Sequence, residues 1–381
     1  MRIYRFRLIC LLAVNACMLA QATGQDIPRS IILVVADGAG IGHYTLSYYH
    51  NDSFAPATFQ HVGLSTTHPA DSGRVTDSAA SGTALSAGVK TNNGLIALDV
   101  DSIAVKTVLE YAQEKGMATG LVATYVITHA TPAVFAAHVD NRYDYPEIAR
   151  QMLDAKVDVL FGGGRRLFLS EEEGGPQAIN LLDSIAAEGV QVIDTLDGTI
   201  DESRPVIGLF ADGDLPHADR DRQPTTTAMA LQALEILDND PDGFFLMVEE
   251  SQVDGGGHAN NYEYARSEMA SLNDLIDAML AYQASHPEVL VLLVSDHDTG
   301  GLAMQNRFIS YIRQRIIIRR WFFWRQEMTS SDNQLIAGWT SRDHTSNMVP
   351  IFATGPGSEV FDAVVDNIFI GQTLIEYVTS R

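Results

Sequence analysis

Four apolar runs, the first of them rich in β-branched residues, each lead into side chains that bind cations or protons, and this repeated figure restricts the fold more than any other feature. Residues 31–36 stop at Asp37-Gly38-Ala39-Gly40, and 119–124 lead toward Thr128-His129-Ala130-Thr131-Pro132. Residues 244–248 run into Glu249, and 289–295 run into Asp296-His297-Asp298. Continuous apolar runs of this length fit strands buried on both faces. Between them lie patterns of helical period, at 103–115, 145–155, 225–237 and 262–282. Strands alternating with helices predict an α/β fold, a mainly parallel sheet covered by helices on both faces. In such folds the ligand crevice lies beyond the carboxyl ends of the strands, which is where these polar residues fall.

A chain of 381 residues, 46% hydrophobic and 19% charged, has the material for a large core. Its formal net charge of −23 argues against a nucleic-acid-binding surface and against attachment to anionic membranes by global charge. A protein this acidic handles phosphate only where positive charge is concentrated, and metal ions do that efficiently. The chain opens Met1-Arg2-Ile3-Tyr4-Arg5-Phe6-Arg7, followed by an apolar run over 8–20 and the small-residue pattern Ala20-Gln21-Ala22. This predicts a signal peptide over 1–22 and an exported chain, periplasmic or extracellular. The run is short for a spanning helix. Both cysteines, Cys10 and Cys17, lie within the leader, so the mature chain has neither disulfide nor thiol ligand. Val14-Asn15-Ala16-Cys17 loosely resembles a lipoprotein cleavage box with a lipid anchor at Cys17, a reading ranked below plain cleavage. Residues 23–381 show no clean linker and no internal repeat. Residues 194–223, rich in Asp, Gly and Pro, read as a surface excursion. Residues 307–325 form a basic, aromatic insertion, read as packed on its own chain or a neighbouring subunit ahead of a membrane-interface or anion-binding patch.

Within Val75-Thr76-Asp77-Ser78-Ala79-Ala80-Ser81-Gly82-Thr83-Ala84, one hydroxyl stands among small residues that let a bulky group approach. A helix is predicted from Ser78 to about residue 87, capped by Asp77 or Thr76, and its free N–H groups and dipole welcome an anion. Serine is a poor nucleophile until a base or metal activates it. Asp254 and His258 flank a Gly-rich stretch, predicted as a turn that lets them converge, and Asp296-His297 repeats the chemistry after the next strand. His344 adds a further imidazole in Arg342-Asp343-His344-Thr345. Any single histidine here reads as an ordinary hydrogen-bonded residue. Several Asp/His groups at strand ends, together with Asp37, could furnish two zinc sites.

Asp37-Gly-Ala-Gly, Thr76 through Ala84, His129-Ala-Thr-Pro, Ala137 through Arg142, Glu249 through His258, Ser295-Asp-His and Gly338 through His344 resemble, in order, the motifs of alkaline phosphatases. The resemblance runs from about residue 31 to the C-terminus and is weakest over 194–223 and 307–331. It implies a three-layer sandwich and a catalytic domain over 23–381. It implies hydrolysis of small-molecule phosphate monoesters through phosphoserine at Ser78, with Arg142 clamping the non-bridging oxygens. By the same resemblance Asp254, His258 and His344 hold one Zn2+, and Asp37, Asp296 and His297 a second. Asp37, Thr131 and Glu249 hold one Mg2+, and His129 joins Ser78 and Arg142 in substrate binding. Hard oxygen donors suit magnesium and mixed Asp/His sets suit zinc. Relatives are commonly homodimers, which implies a homodimer here. The chain departs from the pattern at His129, where the enteric bacterial enzyme has aspartate, at Gly255, where relatives carry larger residues, and over 307–325. Two alternatives remain, a phosphodiesterase of the same superfamily and a secreted metal- or phosphate-binding protein without turnover. Arg142 and the monoesterase motifs weigh against the first, and Ser78 lacks the Pro and Arg that a sulfatase needs.

Overall fold

The computed structural model describes residues 27–306, 311–318, 321–328 and 335–381, so the leader with Cys10 and Cys17 lies outside the described residues. The chain begins with β1 (Ser30–Ala36), α1 (Ile41–His50), β2 (His61–Thr66), α2 (Ser78–Ala87), α3 (Val108–Glu114), β3 (Ala118–Val126), α4 (Ala130–Ala136), α5 (Tyr145–Asp154) and β4 (Val159–Gly163). It continues through α6 (Leu181–Ala187), β5 (Gln191–Ile193), β6 (Val206–Leu209), α7 (Thr226–Leu237), β7 (Phe244–Glu250), α8 (Gln252–Ala259), α9 (Tyr262–Ser285) and β8 (Val289–Val294). The last third holds β9 (Asp298–Thr299), β10 (Ala303–Asn306), β11 (Tyr311–Ile318), β12 (Trp321–Met328), β13 (Leu335–Gly338), β14 (His344–Thr345), β15 (Val349–Thr354), β16 (Val364–Asp366) and α10 (Asn367–Thr379).

Ten strands form one sheet in the order β16-β2-β15-β8-β1-β7-β3-β4-β6-β5, and only β15 runs against its neighbours. The centre of the sheet is apolar on both faces because the sequence alternates nothing there. Ile31, Leu33 and Val35 of β1 pack into one core with Ala79 and Leu85 of α2, Phe135 of α4 and Leu374 of α10. Ile32, Val34 and Ala36 enter the opposite core with Met229 of α7 and Met269 and Ile276 of α9. Each buried Val, Leu, Ile, Met or Phe side chain among them contributes about 1.5–3 kcal/mol relative to exposure. The result is the expected three-layer arrangement. Register then fixes the site, because Val35 lies opposite both Glu249 of β7 and Val294 of β8. The residues just past these strands therefore emerge side by side at one edge of the sheet.

The structure corrects two expectations. The helix expected over 103–115 occupies only α3, because Thr107 caps it. Its hydroxyl accepts from Glu110 N at 3.2 Å, and the Glu110 carboxylate accepts from Thr107 N at 2.8 Å. The stretch 194–223 is not wholly a surface excursion. Val206, Ile207 and Leu209 are buried in β6, a short apolar strand flanked by the polar residues that disguise it. In the insertion, β11 and β12 pair as an antiparallel two-stranded sheet of their own, with Ile318 opposite Trp321; residues 307–310 and 319–320 lie outside the described residues. Among the described residues no helix is long and apolar enough to cross a membrane.

Candidate active site

At the carboxyl edge β1 delivers Asp37 into a tight turn. Gly38 there has φ +74, and a Cβ on it would fall 2.6 Å from Asp254 Cα, so glycine both permits the turn and lets α8 close over it. Ser78 opens α2, which is buried throughout, and Asp77 caps it by accepting from Ala80 N at 2.9 Å. His129 caps α4, placing Thr131 in its first turn. The expected turn between Asp254 and His258 is instead helix α8, which sets the two residues on one side by their four-residue spacing. Its glycines serve approach rather than turning. A Cβ on Gly256 would meet the Ala265 backbone at 2.8 Å, and one on Gly257 the Thr299 carbonyl oxygen at 2.8 Å.

Among the described residues, three groups of side chains bring ligand-type atoms within 4.8 Å of one another: Asp254, His258 and His344; Asp37, Asp296 and His297; and Asp37, His129 and Glu249. Ser78 Oγ lies 3.2 Å from His297 Nε2, which in turn is 3.5 Å from Asp37 Oδ1 and 3.2 Å from Asp296 Oδ2. Thr131 is buried, and among the described residues its hydroxyl makes no hydrogen bond of ordinary geometry, although it stands near enough to Glu249 to favour the ionised carboxylate. Arg142 donates from Nη1 to Asp77 Oδ2 at 3.0 Å and from Nη2 to His129 Nε2 at 3.0 Å. Every site residue anticipated from the sequence thus lies in this one region.

The protonation states follow from the partners. His344 Nδ1 lies 2.8 Å from the Thr76 carbonyl and His258 Nδ1 2.5 Å from the Arg342 carbonyl, and carbonyls only accept. Thr299 donates to Asp254 Oδ1 at 2.5 Å, so it accepts from His297 Nδ1 at 3.1 Å. All three imidazoles therefore carry Nδ1–H when neutral and turn a bare Nε2 inward, the tautomer a metal ligand requires. Burial, then His344 and Arg142, hold His297 well below the usual histidine range. Burial and then Arg142 push His129 down to about 3, so it stands as a neutral acceptor for the guanidinium.

The carboxylates show the complementary strain. Burial pushes Asp37 well above the usual range, and Asp296, Asp254 and Glu249 add to it by repulsion. Burial likewise raises Glu249 to about 8 and Asp296 to about 6. Both Asp37 oxygens, Glu249 Oε1 and Asp296 Oδ2 are buried and have no hydrogen-bond partner among the described residues. Unpaired buried carboxylates are costly unless cations offset them, so the donor set fits divalent ions.

Two features escaped the sequence reading. Thr299 left no mark, since nothing distinguishes one threonine from another until its partners are known. A buried ion cluster behind the site did leave one: of two adjacent glutamates ending a buried strand, only one can face the site, and the other needs a cation on the opposite face. Arg222 supplies it, donating to Glu250 Oε1 at 2.7 Å and to Glu268 Oε2 at 2.8 Å. Gly255 is also explained sterically. A Cβ there would lie 2.6 Å from the hydroxyls of both Tyr125 and Tyr264.

A family model described as alkaline phosphatase matches residues 29–317. Alkaline phosphatase 3 of Bacillus subtilis is 33% identical over 418 residues, covering 92% of this chain and 89% of the relative. Among solved structures, the alkaline phosphatase of the Antarctic bacterium TAB5 superposes with a TM-score of 0.80 at 33% identity, covering 93% of this chain and 99% of that one. A histidine-to-aspartate variant of that enzyme, with magnesium bound in its M3 site, matches with a TM-score of 0.80 at 32% identity over 93% of this chain and 99% of that one.

Proposed function

We propose, from the premise that this chain belongs to the alkaline phosphatase family and is a phosphomonoester hydrolase, that Ser78 takes the phosphoryl group from the ester and passes it to water. The observation that supports this most directly is the convergence of three bare Nε2 atoms and four buried carboxylates around the mouth of α2. We assign one zinc to Asp254, His258 and His344 and the second to Asp37, Asp296 and His297. Magnesium goes to Asp37, Thr131 and Glu249, with His129 beside it. Divalent cations bound there supply charge that favours the ionised Ser78 hydroxyl and offsets negative charge on the transferred group.

The chain's own groups do the rest. In the first half-reaction the Ser78 Oγ–P bond forms as the bond between phosphorus and the ester oxygen breaks, and the alcohol leaves. In the second a water oxygen bonds to phosphorus, the Ser78 Oγ–P bond breaks and inorganic phosphate departs. Asp77 and His129 hold the Arg142 fork in place before substrate arrives, so its remaining N–H donors meet the phosphoryl oxygens with little ordering cost. The free N–H groups at the start of α2 face the same anion. A serine–histidine–aspartate relay is disfavoured, because His297 Nδ1 meets the Thr299 hydroxyl rather than a carboxylate.

The test is hydrolysis of p-nitrophenyl phosphate at alkaline pH against bis-p-nitrophenyl phosphate, with trapping of phosphoserine. Monoester turnover well above diester turnover is expected, and Ser78→Ala abolishes the phosphoenzyme while keeping its metal content. Full turnover by cation-stripped protein would refute the assignment. We also propose an exported catalytic domain over 23–381, on the leader pattern. We propose a homodimer, supported by the exposed Ile41, Tyr48 and Tyr49 along α1.

A further inference from the structure

The guanidinium that would clamp phosphate is nearly buried, with Arg142 only 9% exposed, yet the next residue is among the most exposed aromatics, Tyr143 at 68%. The Tyr143 ring lies 5.6 Å from the Arg142 guanidinium carbon and meets Tyr145 edge-on at 6.5 Å. Tyr145 carries the wall inward. Its side chain is half-buried. Tyr125 in turn stands edge-on to His129 at 5.2 Å. Tyr143 and Tyr145 therefore stand on one side of Arg142 and Tyr125 beyond its partner His129, and the Tyr143 ring is the most exposed of the three.

Tyr143 is thus an exposed ring beside the guanidinium that would hold the phosphate. These rings offer π faces, which suit a flat ring carried a few bonds from the ester oxygen. We propose that Tyr143 is a specificity-determining residue, stacking on the base of nucleoside monophosphates, which makes them the preferred substrate class of this site. This rests on the phosphomonoesterase reading above. Stacking of a base on an aromatic side chain tolerates any base, since each has a π face.

The experiment compares kcat/KM for adenosine 5′-monophosphate and ribose 5-phosphate, which share the sugar, the ester and the leaving oxygen and differ in the base. The wild-type chain should favour the nucleotide about fivefold, the lower end of what one stacked base contributes. Tyr143→Ala should lower the nucleotide value to near that of ribose 5-phosphate and leave the latter within about twofold, while Tyr143→Phe keeps the preference. Tyr143 is exposed, so folding is not at stake. Equal values for the two esters in the wild-type chain, or an equal loss on both in Tyr143→Ala, would overturn the assignment. Turnover of neither ester defeats the phosphomonoesterase reading instead, so the two failures are told apart.

Discussion

Thr299 shows how much of a metal site is decided by residues that never touch the ion. Its hydroxyl has one proton, which it gives to Asp254, and one acceptor role, which it plays for His297. Both candidate zinc groups are thus oriented by a single side chain of two functional contacts. Thr299→Val keeps the shape and removes both contacts, so zinc affinity should fall about 10–100-fold, as outer-shell losses do. Chelator competition on the purified chain reads this directly, and Thr299→Ser should restore most of it. Unchanged zinc affinity in Thr299→Val would show that neither contact matters. At this scale the sequence was informative where chemistry is carried by rare residues at strand ends. Asp37, Asp296 and His297 could be picked out because acids and imidazoles seldom end buried strands without cause. Thr299 and the Thr76 and Arg342 carbonyls were illegible, since what they do depends only on what lies opposite them.

Elements were read best where one signal ruled and worst where two competed. Asp77 followed by small helix formers gave the start of α2 correctly, because a cap is a local event. Asp254 to His258 failed because three glycines usually mean a turn, whereas here the surroundings need helix faces without side chains. The joint between α3 and the segment after α4 carries a testable pH dependence. His138 Nε2 lies 3.1 Å from Glu110 Oε1, and that hydrogen bond raises the imidazole above its ordinary value. Burial pushes the Glu110 carboxyl up, but His138 and the Thr107 amide outweigh it and hold it low. The histidine's contribution is complete below its unfolded value, about 6.5, and is lost as pH rises through the higher folded value. The glutamate's is present above its unfolded value and lost as pH falls through the depressed one. The stability gap between the wild-type chain and His138→Leu should accordingly narrow from pH 6 to 9 in denaturant titrations. A gap independent of pH would remove the ion pair from the account.

Across the whole molecule, the alternation of strands and helices was enough to give the layers, because burial on both faces leaves a parallel sheet few other arrangements. What it could not give was the cross-linking of remote parts by Arg222. That side chain joins Glu250 at the end of β7 to Glu268 in α9, and its Nη2 also reaches Thr226 in α7 at 3.2 Å. Arg222→Met leaves two carboxylates without their cation in a dry interior, and the chain should lose about 3–5 kcal/mol of stability in urea unfolding. An unchanged midpoint would show that the glutamates discharge by protonation at no cost.

The lone reversed strand, β15, has a bearing on how the protein comes into being. It settles beside β8 from the opposite direction, and the hairpin segment and His344 precede it in the chain. As the polypeptide is synthesised, residues for two of the three ligand groups are complete by His297, while the group holding Asp254 and His258 waits for a histidine 86 positions after His258. A chain cut short before His344 therefore lacks one member of that group, and the cage of Asp254 and His258 is left open on one side.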